Sequence, residues 1–303
     1  MAVPFVVQFA GPLDIPASVA GFRHWGDDLF DRWDGRTLVR TVPGPDGDDV
    51  AFACTVVGSI QQPAVRVDVE DEAYGPLVER TVRGMFVLAH EPLAALARVD
   101  PVVARLDASH PGVRPVLTTG LFKALVRAIS TQQVNLRWAA TTRARLAVAF
   151  GRRHTVAGHE VYSLDPRRLA GVPPPELRAL QFTTRKAEYI VGTAAAVADG
   201  TLAVDHLRTL PDDDVIARIV RVRGLGVWTA EWVLARTLGR PRVVAGDLGV
   251  RREVGRAYLG GAFPSEREVR SCTAHWGEAA GVAQQLLLYG RAVSAGLSPD
   301  VPA

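Results

Sequence analysis

The hydrophobic pattern of this chain changes period once, near residue 90, and that change fixes the class of fold open to it. Before it, Val65, Val67 and Val69 alternate with Arg66, Asp68 and Glu70, the two-residue repeat of a half-buried strand. Residues 5–9, 36–42 and 50–57 are further strand candidates, the last two separated by the turn-forming run Pro43-Gly44-Pro45-Asp46-Gly47-Asp48. Residues 14–25 read as a helix capped by Asp14 or Ser18, and residues 75–85 as another. Beyond residue 90 the pattern is helical: Leu121, Phe122, Leu125, Val126 and Ile129 share one helix face, and helices over about 134–150, 185–198 and 212–222 follow. The fold class is therefore α+β. Residues 1–88 make a small N-terminal antiparallel sheet domain, and residues 89–303 a mainly α region, expected to be all-α in two helical subdomains.

Composition narrows the chemistry. The 303 residues, 48% hydrophobic and 22% charged, exclude a disordered or collagen-like chain and suggest two domains. Two cysteines, Cys54 and Cys272, are too few for a disulfide framework, a four-cysteine zinc site or an iron–sulfur cluster. The N-terminus lacks the basic start and apolar stretch of a secretion signal. No uncharged apolar run reaches the ~18–20 residues of a membrane span, so a soluble, cytoplasmic protein with no membrane contact is the expectation. Residues 1–90 carry 7 Arg against 13 Asp plus Glu, a net of −6; residues 91–303 carry 28 basic against 19 acidic residues, a net of +9. Such asymmetry fits nucleic acid on the basic part, and equally an arginine-rich solvated surface. Lys123 and Lys186 are the only lysines, which restricts any Schiff-base chemistry, because arginine does not lose its proton.

The most informative stretch is Arg223-Gly224-Leu225-Gly226-Val227-Trp228-Thr229-Ala230-Glu231-Trp232. Two glycines around one apolar residue let the backbone turn sharply between helices and leave N–H groups free at the next helix start, where a phosphate is favoured. An ordinary tight helical turn is the bland alternative. One acid, Asp247, follows among small apolar residues before Arg251-Arg252. It could cap the helix starting near Leu248, serve catalysis, or do both. Trp228 and Trp232 lie four apart on one helix face, as pocket walls or as core.

In this order the hairpin, Asp247, Phe122–Val134 with its Gln132-Gln133 step, and Lys186–Ile190 resemble the helix-hairpin-helix DNA glycosylase superfamily. Within it they resemble the 3-methyladenine DNA glycosylase II (AlkA-like) branch. The resemblance spans nearly the whole chain, the N-terminal part being similar to that branch's small sheet domain. It implies Asp247 as the catalytic carboxylate and a base pocket of Trp228, Trp232 and Leu248, completed by Tyr289 or Leu288. It implies duplex DNA with damaged bases as partner, contacted by Gln132, Gln133, Arg223, Gly224, Gly226 and Arg251. No cofactor is required. The carbonyls of Val220, Val222 and Leu225 are a candidate seat for a structural monovalent cation. Trp228 stands where bifunctional members carry their Schiff-base lysine, which implies hydrolysis without strand cleavage, and a monomer is expected.

The chemistry suits these residues. A stacked base hides its glycosidic bond and must be flipped out; a carboxylate stabilises the positive charge developing on the sugar; aromatic faces attract an electron-poor alkylated purine. The chain departs from the family pattern at Arg223 (usually proline), at Leu248 (usually aromatic), at Gln133 (leucine in some relatives) and in Trp276–Gly281, which lacks the usual proline, aromatic and arginine. Two rival functions are a non-catalytic DNA-binding descendant and an oxidised-base glycosylase with lyase activity.

Overall fold

The alternating residues of the N-terminal part fold into one antiparallel sheet of five strands, ordered β1-β5-β4-β3-β2. The strands are β1 (Phe5–Gln8), β2 (Asp31–Trp33), β3 (Thr37–Pro43), β4 (Asp49–Val56) and β5 (Ala64–Val69). The computed structural model describes residues 3–45 and 47–294; Met1, Ala2, Asp46 of the turn run and residues 295–303 lie outside the described residues. Two short helices, α1 (Ile15–Val19) and α2 (Gly21–His24), lead into β2, and α3 (Gly75–Arg83) follows β5. Asp14, rather than Ser18, caps α1 by accepting from the Ala17 N–H at 2.9 Å. One sheet face buries Val7, Leu38, Val42, Phe52, Cys54, Val65 and Val67 against Val78 and Val82 of α3.

After residue 89 come α4 (His90–Ala97), α5 (Pro101–Ser109), α6 (Leu121–Thr131) and α7 (Leu136–Phe150), and then one departure from an all-α region. Residues 152–163 form a hairpin of β6 (Arg152–Val156) and β7 (His159–Ser163). Its two-residue loop, Ala157-Gly158, has φ of 48° and 79°, the doubly left-handed turn whose twist matches paired strands. The hairpin exists because the second face of the main sheet needs a cover: Val156 and Val161 pack on Val39, Ala51 and Ala53. Buried His154 pins it, its two ring nitrogens meeting Glu70 at 2.7 Å and Ser163 Oγ at 2.9 Å. Both faces of β3 and β4 are thus buried. The remaining helices are α8 (Pro166–Ala170), α9 (Pro174–Ala179), α10 (Thr184–Ala198), α11 (Val204–Thr209), α12 (Asp212–Val220), α13 (Val227–Arg236), α14 (Leu248–Tyr258), α15 (Glu266–Thr273) and α16 (Ala280–Ser294). They enclose two cores, one around Leu125, Ile129, Ile190 and Leu234, the other around Val103, Val250, Val254 and Leu286.

Between sheet and helices lies a buried charge network. Asp31 Oδ1 accepts from Arg40 Nε at 2.6 Å and from Lys123 Nζ at 3.1 Å, while its Oδ2 lies 3.0 Å from Arg127 Nη1. Asp28 Oδ2 accepts from Arg127 at 2.6 Å and from Arg143 at 2.8 Å. The guanidiniums of Arg40 and Arg127 both lie over the Phe22 ring, at 5.3 and 5.5 Å, where the aromatic face offsets surplus positive charge. Burial alone would push the Asp31 carboxyl up, but Arg40, Lys123 and Arg127 outweigh it and hold it well below the usual 3.8. A depressed folded-state value means that this carboxylate stabilises fully above about pH 3.8 and ceases to as pH falls through its lower folded value. Asp31→Ala is expected to cost about 3–5 kcal/mol in urea unfolding at pH 7, because buried Arg40 and Lys123 lose their anion and Arg127 is left with Asp28. The difference from wild type should narrow only in unfolding experiments below about pH 3.8.

Candidate active site

The turn between α12 and α13 is built around two glycines with different reasons. Gly224 has φ +95°, and a Cβ there would sit 2.2 Å from Cγ of Tyr189 on α10, so both backbone and packing demand glycine. The Gly224 carbonyl accepts from Gln132 Nε2 at 3.1 Å, tying the loop after α6 to the hairpin. Gly226 has ordinary extended angles (φ −111°, ψ 179°), and a Cβ there would meet nothing within 4 Å. The fold does not require glycine at that position. No side chain caps α13, so the N–H groups of its first turn are left unpaired at the positive end of the helix. Val227 beside them is 46% exposed. Arg223 is exposed, over the Tyr189 ring at 5.8 Å and 3.4 Å from Glu188.

Asp247 caps α14 and is half-buried. Its Oδ1 accepts from the N–H groups of Gly249 (2.8 Å) and Val250 (3.1 Å) at the start of α14; its Oδ2 accepts from the indole N–H of Trp228 at 3.0 Å. Three donors on two oxygens fix the carboxylate without neutralising it. Trp232, one turn along α13, lies beneath the Arg236 guanidinium at 5.4 Å. Leu288 of α16 lies near the acid: a Cβ built on Gly249 would be 3.0 Å from Asp247 Oδ1 and 3.4 Å from Leu288 Cδ2.

The other candidates fall in different places. Tyr289 is not beside the acid. It stands edge-on to His110, which follows α5, at 5.2 Å, because one residue along a helix turns the side chain about 100°, and Leu288 takes the place expected of it. Leu248 is 64% exposed, at the rim. Arg251 donates from Nε to the Pro264 carbonyl at 2.8 Å and stacks on Phe263 at 4.3 Å, holding the loop after α14. Gln133 is exposed at the tip of the loop after α6 with φ +56°, a left-handed conformation that costs a non-glycine residue about 1–3 kcal/mol. Val222's carbonyl accepts from Leu225 N–H at 3.1 Å, which leaves it one lone pair. Among the described residues no group of three or more His, Cys, Asp or Glu is placed to hold a metal. Neither lysine serves the acid: Lys123 belongs to the buried network, and Lys186 Nζ donates to the Ser130 carbonyl at 2.8 Å. Trp276 is 1% exposed in the core beside Tyr258. Arg236, one turn beyond Trp232 along α13, donates to Gln285 of α16, a contact the sequence did not reveal.

Known proteins resemble this chain in sequence and in fold. The profile of the HhH-GPD superfamily of base excision DNA repair proteins matches residues 126–278. The chain is 28% identical over 189 residues to the DNA-3-methyladenine glycosylase of Bacillus subtilis (strain 168), covering 62% of each chain. It is 31% identical over 165 residues to DNA-3-methyladenine glycosylase 2 of Escherichia coli (strain K12), covering 50% of this chain and 57% of that one. The matched region therefore spans about three fifths of these relatives. Among solved structures, the 3-methyladenine DNA-glycosylase from Archaeoglobus fulgidus shares the fold, with TM-score 0.80, 22% identity and coverage of 95% and 98% of the two chains.

The two glycines give a paired prediction. Gly224→Ala should destabilise the protein by at least about 1–3 kcal/mol in thermal or urea unfolding. Gly226→Ala should change stability by less than about 1 kcal/mol yet weaken duplex DNA binding about tenfold in a titration, since its methyl group would stand over the unpaired N–H groups.

Proposed function

Because the chain belongs to the HhH-GPD superfamily of base excision DNA repair proteins, we propose that it is a monofunctional DNA glycosylase, releasing alkylated purines of the 3-methyladenine type from duplex DNA. The observation that carries this reading is the Asp247 carboxylate, locked by two backbone N–H groups and the Trp228 indole between α13 and α16. Catalysis then needs little else. The free N–H groups at the start of α13 and the Gly226 backbone hold a phosphate of the kinked strand, and a monovalent cation on the carbonyls of Val220, Val222 and Leu225 would add positive charge beside it. Gln133, presented on its left-handed loop, enters the stack where the damaged nucleotide leaves it. The everted base rests against Trp228 and Trp232. The bond from sugar C1′ to the base nitrogen breaks with its electron pair leaving on the base, and an alkylated cationic purine departs neutral. Asp247 stabilises the cationic sugar and orients the water whose oxygen bonds to C1′; the water's proton passes to solvent. One chain and one duplex suffice.

A Schiff-base route has no support at this site, where Trp228 occupies the place beside the acid and both lysines are engaged elsewhere. The burial of Trp276 in the core also weighs against a non-catalytic descendant, since that departure touches packing rather than the acid.

Asp247→Asn tests the reading, because asparagine caps a helix about as well as aspartate but carries no charge. Release of 3-methyladenine or 7-methylguanine from methylated duplex should fall about 100-fold or more while the melting temperature moves little; undiminished release would refute the assignment. Borohydride treatment of enzyme with lesion-bearing DNA should trap no covalent adduct.

A further inference from the structure

Residues 237–247 join α13 to α14, and the acid is the last of them. Its approach is a tight turn. The Val244 carbonyl accepts from the Asp247 N–H at 3.0 Å, the first-to-fourth bond of a β-turn, and the fourth residue of that turn is also the cap of α14. Turn and cap form one unit, so the place of the carboxylate follows from where the unit is anchored. The anchor is at its first residue: the Val244 N–H donates to Gln284 Oε1 of α16 at 2.7 Å, with both partners buried. Two residues earlier, Arg242 is held through its side chain by Glu231 of α13 at 3.1 Å, and Glu231 also holds Arg270 of α15 at 2.7 Å.

Core packing gives no reason for glutamine at position 284. Its neighbours along α16, Val282, Ala283, Leu286 and Leu287, are buried apolar residues of the core around Val103 and Val254. Its Nε2 is buried with no hydrogen-bond partner among the described residues. An amide taken out of water with one end unpaired lowers stability. What α16 gains from it is the oxygen that meets Val244, a backbone group no aliphatic side chain could satisfy.

We infer that Gln284 is a positioning residue for the Asp247 carboxylate, acting through the turn that begins at Val244. This rests on the glycosylase reading and adds to it the group that aims its acid. Val244 is held at its N–H by Gln284 and at its carbonyl by the Asp247 N–H. The backbone of the acid is thereby fixed from α16, while the N–H groups of Gly249 and Val250 and the Trp228 indole fix its oxygens from α14 and α13. A carboxylate that stabilises a sugar cation loses its effect steeply when displaced, so an anchor one turn away is felt in the chemical step and not in the grip on DNA.

Gln284→Met is the test, since methionine nearly matches glutamine in size and offers only a weak acceptor. At saturating enzyme, single-turnover release of 3-methyladenine from methylated duplex should slow about tenfold, with duplex affinity unchanged. In an Asp247→Asn background the same substitution should slow release no further, because the charge being positioned is gone. Val103→Ala, on the α5 side of the same core, lowers stability and should leave the single-turnover rate unchanged. A rate unaffected by Gln284→Met, an equal slowing in both backgrounds, or the same slowing in Val103→Ala overturns the inference. Should Gln284→Met fail to fold, Gln284→Asn, one methylene shorter, takes its place under the same criteria. If wild type releases no base, the glycosylase reading fails by itself, and the positioning is judged by the indole N–H resonance of Trp228 in tryptophan-labelled protein. Gln284→Met should move that resonance, because the oxygen it donates to shifts, and Val103→Ala should not; a resonance unmoved by Gln284→Met overturns the inference.

Discussion

Asp31 is the charge on which the architecture turns. It sits on the short edge strand β2 and gathers Arg40 from the sheet with Lys123 and Arg127 from α6, while Asp28 adds Arg143 from α7. Taking such charges out of water is costly, and a buried network contributes little net stability once its desolvation is counted. What it supplies is direction: guanidinium and carboxylate groups have geometries that oily side chains lack. α6 is thereby set against the sheet at one register. Its C-terminal end is held again by Arg143 on Ser130 Oγ and Lys186 on the Ser130 carbonyl, at 2.8 Å each. From there Gln132 reaches the Gly224 carbonyl. The loop bearing Gln133 and the hairpin bearing Gly226 are thus placed relative to each other by a chain of polar contacts that begins in the N-terminal sheet.

The acid illustrates how one residue satisfies two demands. A helix start needs acceptors for its free N–H groups, and the proposed chemistry needs a carboxylate that does not wander. Asp247 meets both, since capping uses Oδ1 and leaves Oδ2 turned toward Trp228. Capping therefore does not compete with the proposed catalytic role. The same economy appears at the hairpin, where Gly224 is dictated by Tyr189 and by its dihedral while Gly226 is dictated by neither.

Much of this was legible in the sequence where a periodic pattern or a local rule decides. The alternation around Val65–Val69, the helical face of α6, the two-glycine turn and the capping acid all stand as read. Features that depend on a distant partner were not. β6 and β7 are short, and their second strand face makes sense only once Val39, Ala51 and Ala53 present an apolar surface to cover. β2 is three residues long and owes its place to pairing with β3. Whether Leu288 or Tyr289 meets the acid is a matter of helix phase, which packing of α16 against α5 and α14 settles and sequence spacing does not. Arg236 reads as a surface arginine until its contacts with Gln285 and the Trp232 ring are seen.

The hairpin of residues 152–163 changes what the apparent border near residue 88 means. It leaves the helical region to lie on β3 and β4, with His154 fastened to Glu70 and Arg32 donating to the Glu160 carbonyl at 2.7 Å. Together with the cations that α6 and α7 lend to Asp31 and Asp28, it knits the acidic N-terminal ninety residues to the basic remainder from two directions. The change of period in the sequence marks a shift in building style along one continuous fabric, and the fabric has no cleavage plane there: a helical fragment severed at that border would carry three orphaned cations and a bare apolar ribbon into water.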